Sequence, residues 1–217
     1  MREKIIKQIE EEKIIAIIRG IAPNKAVSVA KALYDGGIKL VEVTFNQKCP
    51  EKFSDTTTAI KSIIDAAGDQ MTVGGGTVIT PEQAELIHSA GGQFIVSPDT
   101  DEDVIRRTVQ LGMVSLPGAY TATEAKKAYN AGADFVKLFP CIKGAEGYLK
   151  ALRAPLSHIK FFAVGGITAE NTPDFMKAGA SGIGVGSSLV NPSWVESGKF
   201  NRITEQARKF VLAVKNY

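Results

Sequence analysis

Lys137 is an amine within an otherwise largely apolar run, Ala133-Asp134-Phe135-Val136-Lys137-Leu138-Phe139-Pro140. Lysine is seldom buried without a partner, so two readings compete. In one, the side chain lies at a strand end and snorkels to water. In the other, a poorly solvating pocket holds the amine neutral and able to attack a carbonyl. Glu42 raises a similar question between Val41 and Val43. It is either tied to a structural cation such as Arg19 or Lys137, or it is an acid/base whose proton affinity is set by burial and nearby charge. Arg19 could be an ion-pair partner or clamp a carboxylate with its planar fork. As a second cation it would also disfavour the Lys137 ammonium. Two glycine-rich turns, Gly165-Gly166-Ile167-Thr168 and Gly184-Val185-Gly186-Ser187-Ser188, could bring backbone N–H groups against an anion such as phosphate, or could simply be tight turns.

These groups need a frame that brings them together. The chain repeats one unit: a helical pattern, a glycine stop, a short apolar strand and a polar or glycine-rich strand end. Asp35-Gly36-Gly37 precedes Ile38–Phe45, Ala90-Gly91-Gly92 precedes Gln93–Pro98, Ala131-Gly132 precedes the Lys137 run, and Gly179-Ala180 precedes Ser181–Gly186. Further strands are expected at Lys13–Ile18, Gln70–Val73, Met113–Leu116 and Ile159–Val164. Helices are expected at 2–12, 23–34, 81–89, 101–111, 122–129, 169–177 and 201–215, several with Pro or Thr at their starts. Apolar strands separated by helices imply a parallel sheet. Eight such units in one chain point to a (β/α)8 barrel with an extra N-terminal helix, spanning residues 1–217 as one domain. A doubly wound open sheet is the runner-up. In a barrel the carboxyl ends of the strands share one face, which gathers Arg19, Glu42, Thr44, Thr77, Pro98, Lys137, Gly165-Gly166 and Gly186-Ser187. The glycines on the last two strands then occupy this fold's usual phosphate position.

Composition narrows the function. Lys and Arg number 26 against 23 Asp and Glu, and a net charge of +3 with no basic run argues against a nucleic-acid partner. No apolar stretch is long enough to span a membrane, and the charged N-terminus lacks a signal-type apolar core. Cys49 and Cys141 have neither metal-type nor disulfide spacing, which together with the absent leader points to a reducing, cytoplasmic setting. Neither glycine-rich turn carries a dinucleotide fingerprint. No Asp/His set lies at the strand ends, so no metal is expected, and this disfavours a metal-dependent aldolase. An isomerase or epimerase using the same glycines stays open as a less favoured reading.

The motifs Ile17-Ile18-Arg19-Gly20, Val41-Glu42-Val43-Thr44, Gly74-Gly75-Gly76-Thr77-Val78, Ile95-Val96-Ser97-Pro98, Pro117-Gly118, Phe135–Pro140 and Ala163–Ile167 occur in order. Together they resemble the 2-keto-3-deoxy-6-phosphogluconate / 4-hydroxy-2-oxoglutarate aldolases, the small class I aldolases. The resemblance implies a trimeric barrel with no cofactor and a Schiff base on Lys137, with Glu42 shuttling protons. It places Arg19, Thr77, Pro98 and Phe139 around the pyruvyl part of the substrate, and Gly165, Gly166, Gly186 and Ser187 around its phosphate. The implied reaction is Entner–Doudoroff-type cleavage of 2-keto-3-deoxy-6-phosphogluconate to pyruvate and glyceraldehyde 3-phosphate. Cleavage of 4-hydroxy-2-oxoglutarate to pyruvate and glyoxylate is a further expectation. Asn46 is the departure from that pattern, and both Thr44 and Asn46 are expected to touch substrate. Gluconate-type enzymes carry arginine where this chain has Asn46. The 2-keto-3-deoxy-6-phosphogalactonate aldolases share the asparagine but have proline in place of Thr44, and they are the alternative.

Overall fold

The computed structural model describes residues 1–217. Its strands are β1 (Ile14–Ile18), β2 (Leu40–Thr44), β3 (Thr72–Gly76), β4 (Phe94–Val96), β5 (Val114–Leu116), β6 (Gly118–Ala119), β7 (Val136–Leu138), β8 (Phe161–Val164) and β9 (Gly182–Val185). All neighbours pair in parallel, in the order β5-β4-β3-β2-β1-β9-β8-β7-β6. The two ends of that order are consecutive in the chain. β5 and β6 are halves of one strand interrupted at Pro117, which has no N–H to give a ladder. β5 pairs with β4 and β6 with β7, and Lys137 N–H donates to Pro117 O at 2.8 Å across the interruption. The sheet is therefore a nearly closed (β/α)8-type barrel, as the alternating pattern implied. The doubly wound alternative does not describe it.

Helices α1 (Arg2–Glu12), α2 (Pro23–Asp35), α3 (Phe53–Ala67), α4 (Pro81–Ser89), α5 (Glu102–Gln110), α6 (Ala122–Asn130), α7 (Ala145–Arg153), α8 (Thr172–Lys177), α9 (Pro192–Glu196) and α10 (Phe200–Val214) surround the strands. Local chemistry sets several starts. Thr121 and Glu124 close a reciprocal capping box at α6, Asp101 accepts two N–H groups at α5, and Thr80 caps α4. Gly132, just before the Lys137 strand, has φ +105°, a conformation side chains rarely allow.

Two apolar clusters divide the interior. The larger packs helices on the barrel's outer face, and Trp194 and Phe200 rest against it. The smaller fills the barrel itself with Ile15, Ile17, Leu40, Phe94, Val96, Val114, Leu116, Phe135, Phe162 and Val164. Successive strand residues face opposite sides, so Glu42 continues the inward series from Leu40, and Lys137 continues it from Phe135. Ile5 and Ile9 of α1 join the same cluster, so this extra helix stoppers the amino-terminal end. Gln8, Glu10 and Glu12 tie it down through Thr72, Lys160 and Lys39. With that end sealed, the interior opens only at the carboxyl ends of the strands.

Candidate active site

Lys137 is 5% exposed and Glu42 2%, so neither snorkels. Nor is Glu42 locked to a structural cation. No Lys or Arg nitrogen lies within ion-pair distance of its carboxylate, and no protein group hydrogen bonds to either side chain. Both instead line a small cavity of about 10 Å³ inside the barrel, together with Ile15, Ile17, Val96, Leu116, Phe162, Val164 and Gly184. That is about the space of one water molecule. The Lys137 Nζ lies 4.5 Å from the Phe139 ring centroid.

Room for the carboxylate comes from a missing side chain. A Cβ built on Gly76 of β3 would stand 2.8 Å from Glu42 Oε1 and 3.0 Å from Thr44 Cγ2. Two further interior glycines serve packing in the same way. Gly74 yields to the Phe94 ring and Gly182 to Phe162.

Burial sets the charges of the pair. It pushes the Glu42 carboxyl up to about 7, against the pull of Lys137 and then Arg19. Burial likewise pushes the Lys137 ammonium below its ordinary range, with Arg19 adding to the effect and Glu42 and Asp99 opposing it. An acid/base near neutrality thus shares a small buried cavity with an amine whose charged form burial disfavours. Asp99 was not foreseen as part of this field. It follows Pro98 at the end of β4, and burial raises its carboxyl, with Asp101 adding and Lys137 opposing.

Lys137 also lines a larger cleft of about 400 Å³, with Arg19, Phe139, Gly165, Gly166, Gly186 and Ser187 on its walls. Thr168 and Ser188 lie there as well. The glycine-rich turns are stitched together: Ser188 Oγ donates to Ile167 O at 2.7 Å, and Asn171 Nδ2 to Gly166 O at 2.9 Å. Gly165 and Gly166 have φ of +96° and +66°. The N–H groups of Gly165, Gly166, Gly186 and Ser187 donate to no acceptor in the chain. Unengaged N–H groups on residues that line a cleft are of the kind that can receive an anion.

The remaining expected residues stand on the same rim without lining this cleft. Thr44 is buried at the end of β2, and its carbonyl accepts from Thr56 Oγ1. Asn46 is exposed, with its Oδ1 accepting from Lys48 N–H at 3.1 Å. Thr77, after β3, has φ +55°, uncommon for a β-branched residue. Pro98 is half-buried, and its carbonyl approaches Gly118 so closely that a Cβ there would meet it at 2.2 Å. Cys141, just beyond the lysine strand, is buried with its thiol pushed up to about 11. A buried thiol held protonated behaves as a packed side chain and not as a nucleophile.

Known proteins resemble the chain throughout. A family model described as "KDPG and KHG aldolase" matches residues 5–206. The 2-dehydro-3-deoxy-6-phosphogalactonate aldolase of Escherichia coli K12 is 41% identical over 93% of this chain and 94% of its own length. The KHG/KDPG aldolase of the same strain is 33% identical over 88% and 86%. A solved structure described as native KDPGal superposes with TM-score 0.83 at 41% identity, covering 94% of both chains. The KDPG aldolase of Legionella pneumophila, solved with pyruvate captured as a covalent carbinolamine, superposes with TM-score 0.80 at 26% identity, covering 91% of this chain and 93% of that one.

Proposed function

Because the chain belongs to the KDPG and KHG aldolase family of carbon–carbon lyases, we propose that it cleaves 2-keto-3-deoxy-6-phosphogalactonate to pyruvate and glyceraldehyde 3-phosphate through a Schiff base on Lys137. The observation that carries the chemistry is the unpaired, buried Lys137 sharing a cavity with a carboxyl poised near neutrality. A solvated ammonium could not attack a ketone at neutral pH. The carbinolamine captured in the Legionella relative is the intermediate such an amine forms first.

Neutral Lys137 Nζ adds to the C2 ketone, and loss of water from the carbinolamine leaves an iminium. Glu42 assists that dehydration, with the one-water space beside it as the route for the proton. Ionised Glu42 then takes the C4 hydroxyl proton. The C3–C4 electron pair moves toward the iminium nitrogen, the C4 aldehyde departs and an enamine remains. Glu42 returns its proton to C3, and hydrolysis frees pyruvate and the amine. A group titrating near 7 suits both halves of this cycle. Arg19 and Thr77 hold the carboxylate, Pro98 and Phe139 pack on the pyruvyl part, and the free N–H groups of Gly165, Gly166, Gly186 and Ser187 hold the distal phosphate. The lysine itself is the electron sink.

The sugar epimer rests on similarity. The motifs taken alone favoured the gluconate substrate, but identity is 41% to the galactonate enzyme and 33% to the KHG/KDPG enzyme. Asn46 points the same way and Thr44 against it, so the galactonate reading takes precedence. The family's homotrimer and cytoplasmic setting are carried with the same proposal. Pyruvate plus borohydride should leave a reduced three-carbon adduct on Lys137, and labelling elsewhere, or none, would refute the mechanism. Turnover of the galactonate substrate should exceed that of the gluconate and hydroxyglutarate substrates; equal rates would remove the assignment of epimer.

A further inference from the structure

Thr77 is held in its unusual backbone conformation by two residues outside both the small cavity and the cleft. Gln47, on the loop after β2, donates through Nε2 to the Thr77 carbonyl at 2.6 Å. Its other amide contacts are to Gln83: Nε2 donates to Gln83 Oε1 at 3.2 Å, and Gln83 Nε2 donates back to Gln47 Oε1 at 2.9 Å. Gln83 Oε1 also accepts from Ile79 N–H at 2.8 Å. Gln83 is itself fixed: it is 5% exposed and occupies the third position of α4, where its N–H donates to the Thr80 cap. In an ordinary capping box this side chain reaches back to the cap residue's own N–H. Here it reaches one residue further and grips the loop leading out of β3.

The result is a doubly bonded amide pair clamping residues 77–79 from both sides. A β-branched residue with φ +55° persists only where its surroundings over-determine it. The pair supplies that restraint, and it spends only the Thr77 carbonyl. The Thr77 N–H and hydroxyl make no hydrogen bond within the chain, so both stay available to a ligand. We propose that Gln47 and Gln83 are positioning residues: their amide pair presents the Thr77 N–H and hydroxyl to the substrate carboxylate. This rests on the carboxylate role proposed for Thr77. It also makes the β2 loop, which carries Asn46, part of the carboxylate site.

The test is the pyruvate concentration that half-saturates borohydride trapping on Lys137, measured on the full-length protein. Gln47→Ala and Gln47→Glu should each raise it about tenfold, the usual worth of one well-placed hydrogen bond. Gln47→Glu keeps the size but cannot donate to the Thr77 carbonyl. The trapping rate at saturating pyruvate and the urea midpoint should stay close to wild type, since Gln47 lies on a half-buried loop. The losses from Gln47→Ala and Thr77→Ala should combine to less than their product, because one acts through the other. Unchanged half-saturation in both Gln47 variants, or losses that multiply fully, would overturn the proposal. If wild type itself traps no pyruvate, the lysine mechanism fails instead.

Discussion

Replacing Glu42 with glutamine should make the protein more stable while lowering its turnover by about 10²-fold or more. Burial raises the Glu42 carboxyl from 4.5 to about 7. Between those values the folded chain binds more protons at this site than the unfolded chain, so wild-type stability falls as pH rises through the window. Each tenfold difference in proton affinity between the folded and unfolded chain is worth about 1.4 kcal/mol. The ionised carboxylate therefore costs the fold about 2 kcal/mol at pH 6 and about 3 kcal/mol from pH 7 upward, with almost nothing at pH 4. Glutamine fills the same space and never ionises, so Glu42→Gln should be free of that cost. Lys137 can only add to the gain, since losing its proton relieves the variant further.

The assay is urea unfolding followed through Trp194, the only tryptophan in the chain. Wild type and Glu42→Gln should be compared at equal protomer concentration, in case assembly contributes to stability. The variant's advantage should be near zero at pH 4, rise steeply between pH 5 and 7, and level off near 3 kcal/mol above, or roughly 6–12 °C in melting temperature. A difference independent of pH, or a variant less stable than wild type at pH 8, would refute the burial argument. The same burial that the chemistry needs is thus a standing cost to the fold.

Other outcomes follow from the same geometry. Gly76→Ala places a methyl 2.8 Å from Glu42 Oε1 and should lower kcat about 10²-fold, the lower range for losing a positioned acid/base, with little change in urea midpoint. Gly166→Ala must hold a side chain at φ +66° with its Cβ 2.7 Å from Cys141 O. It should raise KM for the phosphorylated substrate at least tenfold while leaving pyruvate trapping unchanged, and an equal loss in both would place the phosphate elsewhere. The pH profile of kcat/KM should fall on the acid side with an apparent pKa near 7, belonging to the Glu42–Lys137 pair rather than to either alone. In Glu42→Gln that limb should vanish from whatever activity survives.

The parts of this site that could be read from the chain were those that leave a mark on residue type. Lys137 and Glu42 stand out because charge within an apolar strand is rare. The glycine pairs stand out because they fall on the last two strands. What could not be read was the face each strand residue takes. A strand buried on both sides shows no alternation, so nothing local distinguished Lys137 pointing inward with Phe135 from Lys137 at a wetted edge. Only the closed barrel sets that parity. The break at Pro117 was equally hidden, since a proline after Leu116 reads as a strand end and not as the middle of a strand that closes the barrel. The expected strand Gln70–Val73 stopped short of Gly76, which in the structure ends β3 and leaves space for a carboxylate two residues along the neighbouring strand's inward series.

Asn46, expected from the sequence as a substrate contact, has a further role in the structure that residue type alone did not reveal. Taken as a substrate contact, it would differ from arginine by charge and reach. In the structure its Oδ1 accepts from Lys48 N–H at 3.1 Å, while its carbonyl accepts from Cys49 N–H at 3.0 Å, so it folds its own loop. Arginine has no side-chain acceptor and cannot close that turn. The next residue is Gln47, whose amide reaches across to Thr77. A change at position 46 therefore alters the loop whose next residue holds Thr77. Substitutions at position 46 are expected to act on epimer preference through the shape of the β2 loop as well as through charge, and Asn46→Arg should shift both the galactonate-to-gluconate rate ratio and the half-saturation of pyruvate trapping.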